Sequence, residues 1–217
     1  MKWRVKTLGK FLRRIAIDYV RFGYVWYSVR EVPEEKNAEE VLERVCRYYS
    51  ITTNRVTRLR QRREGKGSVV LVLYKRTLVI LATEGVNRFF EEDHPYDIRN
   101  TPLYLFGYSI GVRERKPCVM IAPMRWRAIA KGGRGVALHD REKVTAYFEN
   151  ISPFQFPGIV RQRLELLNEI NQRRKRAGLS RVKVSFGKEG SAHSGSFGEG
   201  LKVESRKGER VKGRKGN

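Results

Sequence analysis

The chain has 217 residues, with 46 Lys and Arg against 23 Asp and Glu and a formal net charge of +23. That length can bury a sizeable core as one domain or two small ones. The charge goes well beyond what solubility asks of a monomer and must be borne as self-repulsion, so a polyanionic partner is expected, nucleic acid ahead of an anionic membrane surface. Only Cys46 and Cys118 are present, too few for a disulfide framework. No run approaches the roughly 18 apolar residues of a membrane span, and the apolar stretch from Val69, interrupted at Lys75-Arg76 and far from the N-terminus, does not read as a signal peptide. A cytoplasmic or nucleoid-associated protein without a transmembrane segment is the expectation.

In chain order, Leu8, Phe11, Leu12, Ile15, Tyr19 and Phe22 recur on one helix face, with Thr7 as cap and Gly23 as terminator. Tyr24 to Val32 alternates as a strand closed by Pro33. Val25, Tyr27 and Val29 share one face, and Tyr24, Trp26, Ser28 and Arg30 share the other. The second set mixes aromatics with a guanidinium, a combination suited to base stacking and phosphate contact. Arg21 to Tyr27 resembles the ribonucleoprotein octamer of RNA-recognition-motif domains, with one glycine fewer. In that family the octamer lies on the third strand, whereas here it opens the first, and nothing else of the family is carried over.

Asn37 to Tyr49 reads as a helix, with Asn37 and Glu40 as a capping box and Cys46 as a core thiol beside the buried stripe. Arg55, Arg58, Arg60, Arg62, Arg63 and Lys66 follow, opposed only by Glu64. If Val56 to Arg62 is extended, Arg58, Arg60 and Arg62 share one face at about 7 Å intervals, close to phosphate spacing on a backbone. Val69 to Tyr74 and Thr77 to Thr83 are apolar throughout, which predicts two strands joined at Lys75-Arg76 and covered on both faces.

Glu91, Asp93 and His94 lie in an acidic island expected to be loop. With His139 and Asp140 they form the candidate set for a metal-dependent nuclease, or another replication or mobile-element enzyme, the one reading that calls for Mg2+. Otherwise no cofactor is expected. Leu103 to Val112 and Cys118 to Ile121 are strand candidates separated by a basic linker. Arg125, Trp126 and Arg127 offer a base-stacking ring between two cations. Lys131 to Gly135 reads as a flexible basic loop without a nucleotide-phosphate motif. Asp140 is placed to cap a helix with stripe Val144, Tyr147, Phe148 and Ile151. The longest helix runs from Ile159 to Ala177, with Val160, Leu164, Leu167, Ile170 and Asn171 inward and Arg161, Glu165, Glu169 and Arg173 as ion pairs. It ends in Arg173, Arg174, Lys175 and Arg176, a set that suits both a helix terminus and a phosphate.

These elements predict an α+β domain over residues 1–180, with a mixed or antiparallel sheet and helices mainly on one face. A ferredoxin-like split β-α-β core is its most specific form. Residues 181–217, after a short edge strand to Phe186, read as a basic Gly/Ser-rich disordered tail. The expected function is nucleic-acid binding, RNA or single-stranded DNA ahead of duplex. The nuclease and a basic structural or ribosome-associated protein are the rivals.

Overall fold

A computed structural model describes residues 3–51 and 54–186; the tail from residue 187 lies outside them, and the compact unit ends at Phe186. The chain is α+β, and its described residues form seven α-helices and two sheets. The hairpin β3 (Val69–Tyr74) and β4 (Thr77–Ala82) lies at the centre, with every residue but Tyr74 buried. Its two-residue turn is entered at Lys75 with φ +53°. Around it the first sheet runs β1 (Arg4–Val5), β3, β4, β2 (Trp26–Glu31), β5 (Tyr96–Asp97). Only β1 joins in parallel, against β3.

Leaving β1 aside, the order β3-β4-β2-β5 is a split β-α-β core: β4 lies between β2 and β3, which the helices α2 (Ala38–Tyr48) and α3 (Arg55–Arg63) connect. The short helix α4 (Arg88–Glu92) leads on to β5 beside β2. Side-chain amides begin these helices. Asn37, Asn54 and Asn87 each accept from a backbone N–H two residues on, at 2.9, 2.9 and 2.8 Å.

Each face of this sheet has its own cover. On one face α2 and α4 pack, with Trp26 edge-on to Phe90 and Tyr49 against Phe89. On the other, Tyr74 contacts Phe11 of helix α1 (Leu8–Arg13) and Phe106 of the second sheet. That second sheet is antiparallel, β6 (Leu103–Leu105), β7 (Tyr108–Arg113) and β8 (Lys116–Ile121). Helices α5 (Pro123–Val136), α6 (Arg141–Glu149) and α7 (Pro157–Arg176) complete the molecule, with α7 against β8.

The first helix is not uniform. After Arg13 it widens into a π-helical stretch, Arg14–Tyr19, then tightens into a 3-10 turn, Val20–Phe22. Its buried residues fall in pairs four apart, Phe11-Leu12, Ile15-Ala16 and Tyr19-Val20. An α-helix of 3.6 residues per turn would carry such pairs progressively round the axis. The wider π turn holds them on one side, and Phe22 is then thrown outward rather than inward as its spacing predicts.

Several expectations are corrected. Arg55–Arg63 is a helix, not a strand, because Asn54 caps it and nothing pairs with it as a ladder. The acidic island is partly helical, as α4. Lys131 to Gly135 lies inside α5, where Gly133 lets Leu166 and Ile170 approach closely. Leu103 to Val112 is a hairpin, and the basic linker is the tight turn between β7 and β8, with φ of +50° at Glu114 and +61° at Arg115. Asp140 stands at the cap position of α6 without a side-chain capping bond. The inner side of α7 keeps Leu167, Ile170 and Asn171 as expected and adds Ile159, Gln162, Arg163, Leu166 and Arg174, leaving Leu164 exposed. Residues 181–186 form no strand. They are held instead by Asn171, whose side-chain amide accepts from Val182 N–H at 2.8 Å and donates to Val182 C=O at 2.9 Å.

A matching clasp closes the edge of β8. Gln162 accepts from Ile121 N–H at 2.9 Å and donates to its carbonyl at 3.2 Å, which occupies the outward backbone groups at that end of the edge. The approach this needs is set by Gly158, where an added Cβ would fall 2.5 Å from the Val119 carbonyl. Gly158→Ala should therefore destabilise the protein by about 1–3 kcal/mol, read as a lowered midpoint in denaturant unfolding. Burial pushes the Tyr27 phenol up to about 12, and its hydroxyl donates to the Thr101 carbonyl at 3.2 Å. A folded pKa above the unfolded value of about 10 gives stability that is complete below pH 10 and lost as pH rises toward 12. Unfolding free energy should fall by roughly 2 kcal/mol across that window through this residue, and Tyr27→Phe should show a correspondingly shallower alkaline decline.

Candidate nucleic-acid interface

Among its described side chains, helix α3 contributes none to the core, and Val56 and Leu59 are exposed on it. An amphipathic helix is ordinarily held by an apolar stripe; this one is tied down by its arginines. Tyr24, only 3% exposed, rests edge-on against Tyr19 and serves as the anchor. Arg62 stacks over the Tyr24 ring at 5.2 Å and donates to the Phe22 carbonyl at 3.2 Å. Arg58 donates to the Tyr24 hydroxyl at 3.4 Å, and its Nε is buried without a partner. Arg60 and Lys66 share Glu64, each at 3.0 Å, and those hydrogen bonds lower the Glu64 pKa. Arg63 is exposed and forms no ion pair among the described residues. The side chain of Arg55 lies outside the described residues.

Tyr24 thus has its ring occupied from within the fold, whereas Phe22, 60% exposed, projects beside Arg62. Phe22 escaped the sequence reading because its spacing matches the buried face of a regular helix. Trp26, the other stacking candidate on this strand, is half-buried with its ring against Phe90.

A second basic cluster lies beyond Tyr49. Arg30 donates to Asp93 and, at 2.9 Å, to the Tyr49 hydroxyl. Burial opposes the charge on Arg30, but the Asp93 carboxylate outweighs it and raises the Arg30 pKa. Asp93 also accepts from Ser28 at 2.9 Å. Tyr48 donates to Glu92, which raises its pKa, and Arg88 stacks on Tyr48 at 4.5 Å. Arg30, Arg44, Tyr48, Tyr49 and Glu92 line a cavity of about 290 Å³. Tyr49 is also a wall of a smaller cavity under α3, so the two basic clusters adjoin.

The remaining candidates are dispersed. Arg125 and Arg127 are exposed on the first turns of α5, with Arg125 over the Tyr108 ring at 5.2 Å, and Trp126 between them is half-buried against the core. Arg173, Lys175 and Arg176 are exposed at the end of α7, and Arg173 donates to the Arg134 carbonyl. Arg174 is 2% exposed. It donates to the carbonyls of Ala137, His139 and Ser180 at 2.9, 2.6 and 2.8 Å, tying the end of α7 to the turn before α6. Glu169 pairs with Arg134 across to α5 rather than along its own helix.

The nuclease candidates occupy separate elements. Glu91 and His94 are exposed about α4, and Asp93 is taken up by Arg30 and Ser28. His139 and Asp140 are exposed in the turn between α5 and α6. Among the described residues, no three His, Cys, Asp or Glu side chains are grouped to hold a metal ion. No described helix is long and apolar enough to cross a membrane. Fold and surface thus define an α+β protein bearing a basic helix held outside its core. No family model, curated protein or solved structure matches the chain.

The arginine tetrad separates cleanly into a structural residue and exposed ones. Arg174→Met, which strips three carbonyls of their donor, should cost about 2–4 kcal/mol of stability. Lys175→Ala and Arg176→Ala should stay within about 0.5 kcal/mol of the parent. Denaturant unfolding of the three variants checks this.

Proposed function

We propose that the protein binds nucleic acid through α3 and the basic surface around it. One observation carries the reading: α3 concentrates arginines on a helix that places none of its described side chains in the core. The fold uses Arg58 and Arg62 to fasten the helix to Tyr24 and Phe22. Arg60, Arg63 and Lys66 are exposed, with only Glu64 to oppose them among the described residues. Such a surface suits a phosphate backbone, whose contacts give affinity and orientation without choosing a sequence. The outward ring of Phe22 beside Arg62 adds a stacking platform, which favours RNA or single-stranded DNA over duplex. Arg30, Arg125, Arg127, Arg173, Lys175 and Arg176 extend the positive surface as secondary contacts. A cytoplasmic or nucleoid-associated location goes with that partner.

Equal-length single-stranded RNA, single-stranded DNA and duplex DNA, titrated across a salt series, test the proposal. Binding should weaken steeply with salt. Arg60→Ala combined with Arg63→Ala should lower affinity at least tenfold and shallow the salt slope by roughly 0.7–0.9 per contact removed. Thermal stability should change little, since neither side chain packs in the core. Phe22→Ala should weaken single-strand binding by about 1–3 kcal/mol and leave duplex binding nearly unchanged. Absence of binding at low salt would overturn the reading.

A further inference from the structure

Beneath α3 lies a cavity of about 100 Å³ whose walls include Tyr49, Arg58, Gln61, Lys66, Ser68 and Asn87. Two of its lining side chains carry buried polar atoms without any partner, the Nε of Arg58 and the hydroxyl of Ser68. Ser68 is 2% exposed, and its hydroxyl stays unused although its backbone is fully engaged: its N–H donates to Thr83 Oγ1 at 2.9 Å and its carbonyl accepts from Thr83 N–H at 3.0 Å. Unsatisfied buried donors are uncommon and costly, and here two belong to residues that line one cavity. Among the described residues, no acidic side chain lines it. Lys66, the second cation, is held at its edge by Glu64.

The floor of the cavity is rigid. Gly67 N–H donates to the Val86 carbonyl, Val86 N–H donates to the Gly65 carbonyl, and Asn87 Nδ2 donates to the Gly67 carbonyl, each at 3.0 Å. The two segments approach so closely that a Cβ at Gly85, where φ is +124°, would fall 2.6 Å from Gly67 N. A floor knitted in this way holds Ser68 in place whether or not the cavity is filled.

We infer that this cavity is a binding site for a single phosphate group, which the Ser68 hydroxyl and the Arg58 Nε–H both donate to and Lys66 attracts. An anion supplies the acceptors that these donors lack, and a guanidinium bonds an oxyanion more strongly than a neutral acceptor. The group belongs either to a nucleic-acid strand, which rests on the function proposed above, or to free phosphate, which does not.

The test uses the full-length protein and its Ser68→Ala and Arg58→Gln variants. Inorganic phosphate is titrated calorimetrically against chloride of equal ionic strength, and the unfolding temperature is followed in both salts. Phosphate should bind the parent and raise its unfolding temperature above that in chloride. Both variants should bind it at least tenfold more weakly. In chloride, Ser68→Ala should unfold no earlier than the parent, since the lost hydroxyl has no partner, so misfolding cannot account for lost binding. Single-stranded oligonucleotides with and without a 5′-phosphate separate the sources. A preference for the phosphorylated end that Ser68→Ala abolishes assigns the site to a strand. Phosphate binding without oligonucleotide binding assigns it to free phosphate and removes the nucleic-acid reading while this one stands. No phosphate effect beyond chloride, or an equal effect in parent and Ser68→Ala, overturns the inference.

Discussion

The β3–β4 hairpin has no polar face, and the rest of the fold follows from covering it. Full burial of a Val, Leu or Ile side chain is worth about 1.5–3 kcal/mol, against about 1–2 kcal/mol for fixing each residue's backbone. A hairpin covered on one side only would bury half of these side chains and sit near balance. Covered on both, it becomes the strongest part of the molecule. One cover is α2 and α4, the other is α1 with the second sheet. That double covering bears directly on function. In RNA-recognition-motif domains aromatic rings on the sheet stack bases, but here Tyr27 is buried and its hydroxyl is bound to the 101–102 backbone. The split β-α-β core is therefore a scaffold, and any nucleic-acid contact has to be made by what stands outside it.

Tyr24 links scaffold to surface. It is the residue next to Gly23, where the first helix ends; its ring receives the Arg62 guanidinium and its hydroxyl accepts from Arg58, the two arginines that fasten α3. An arginine used this way keeps its charge while its position becomes fixed, so the cations of α3 are oriented before any ligand arrives. Preorganisation of that kind reduces the side-chain ordering that binding would otherwise require. The acidic residues are distributed to match. Glu92, Asp93, Asp97 and Glu169 each hold a particular arginine elsewhere on the molecule, leaving Glu64 as the acid that tempers α3.

What could be read from the sequence was what repeats locally. The apolar run from Val69, the capping box at Asn37 and the stripe of α6 announce their structures through period and composition, and the element order was enough to suggest the split β-α-β core. Arg55–Arg63 was misread because alternating arginines look like a strand when periodicity is judged on charge. Its apolar residues, Val56 and Leu59, are three apart and equally helical, and Asn54 supplies a cap. Lys131 to Gly135 looked like a loop because glycine disfavours helices by about 1 kcal/mol per residue. Packing of α5 against α7 at Gly133 outweighs that. Ser68 carried no local signal at all, because its place beside Arg58, Tyr49 and Asn87 depends on how α3, the end of α2 and the 86–87 segment close around it.

The same distinction explains why a count of charges identifies a partner class more readily than a site. Adjacent residues of the tetrad at the end of α7 have opposite roles: Arg174 is spent on three carbonyls inside the molecule, and Lys175 and Arg176 face solvent. Arg163 is also buried, its guanidinium stacked on Phe186 at 4.3 Å with Nε and Nη1 unpartnered, and burial lowers its pKa. It shares an orphaned Nε with Arg58 but differs in setting. Arg163 is covered by a ring and lines neither cavity, so its unpaired nitrogens are a cost of packing. Arg58 is a lining residue of a polar cavity, and so is Ser68, which carries the second orphaned donor. An unsatisfied cation points to a ligand only where there is room for the ligand and another donor to help hold it, and on this molecule Arg58 meets both conditions.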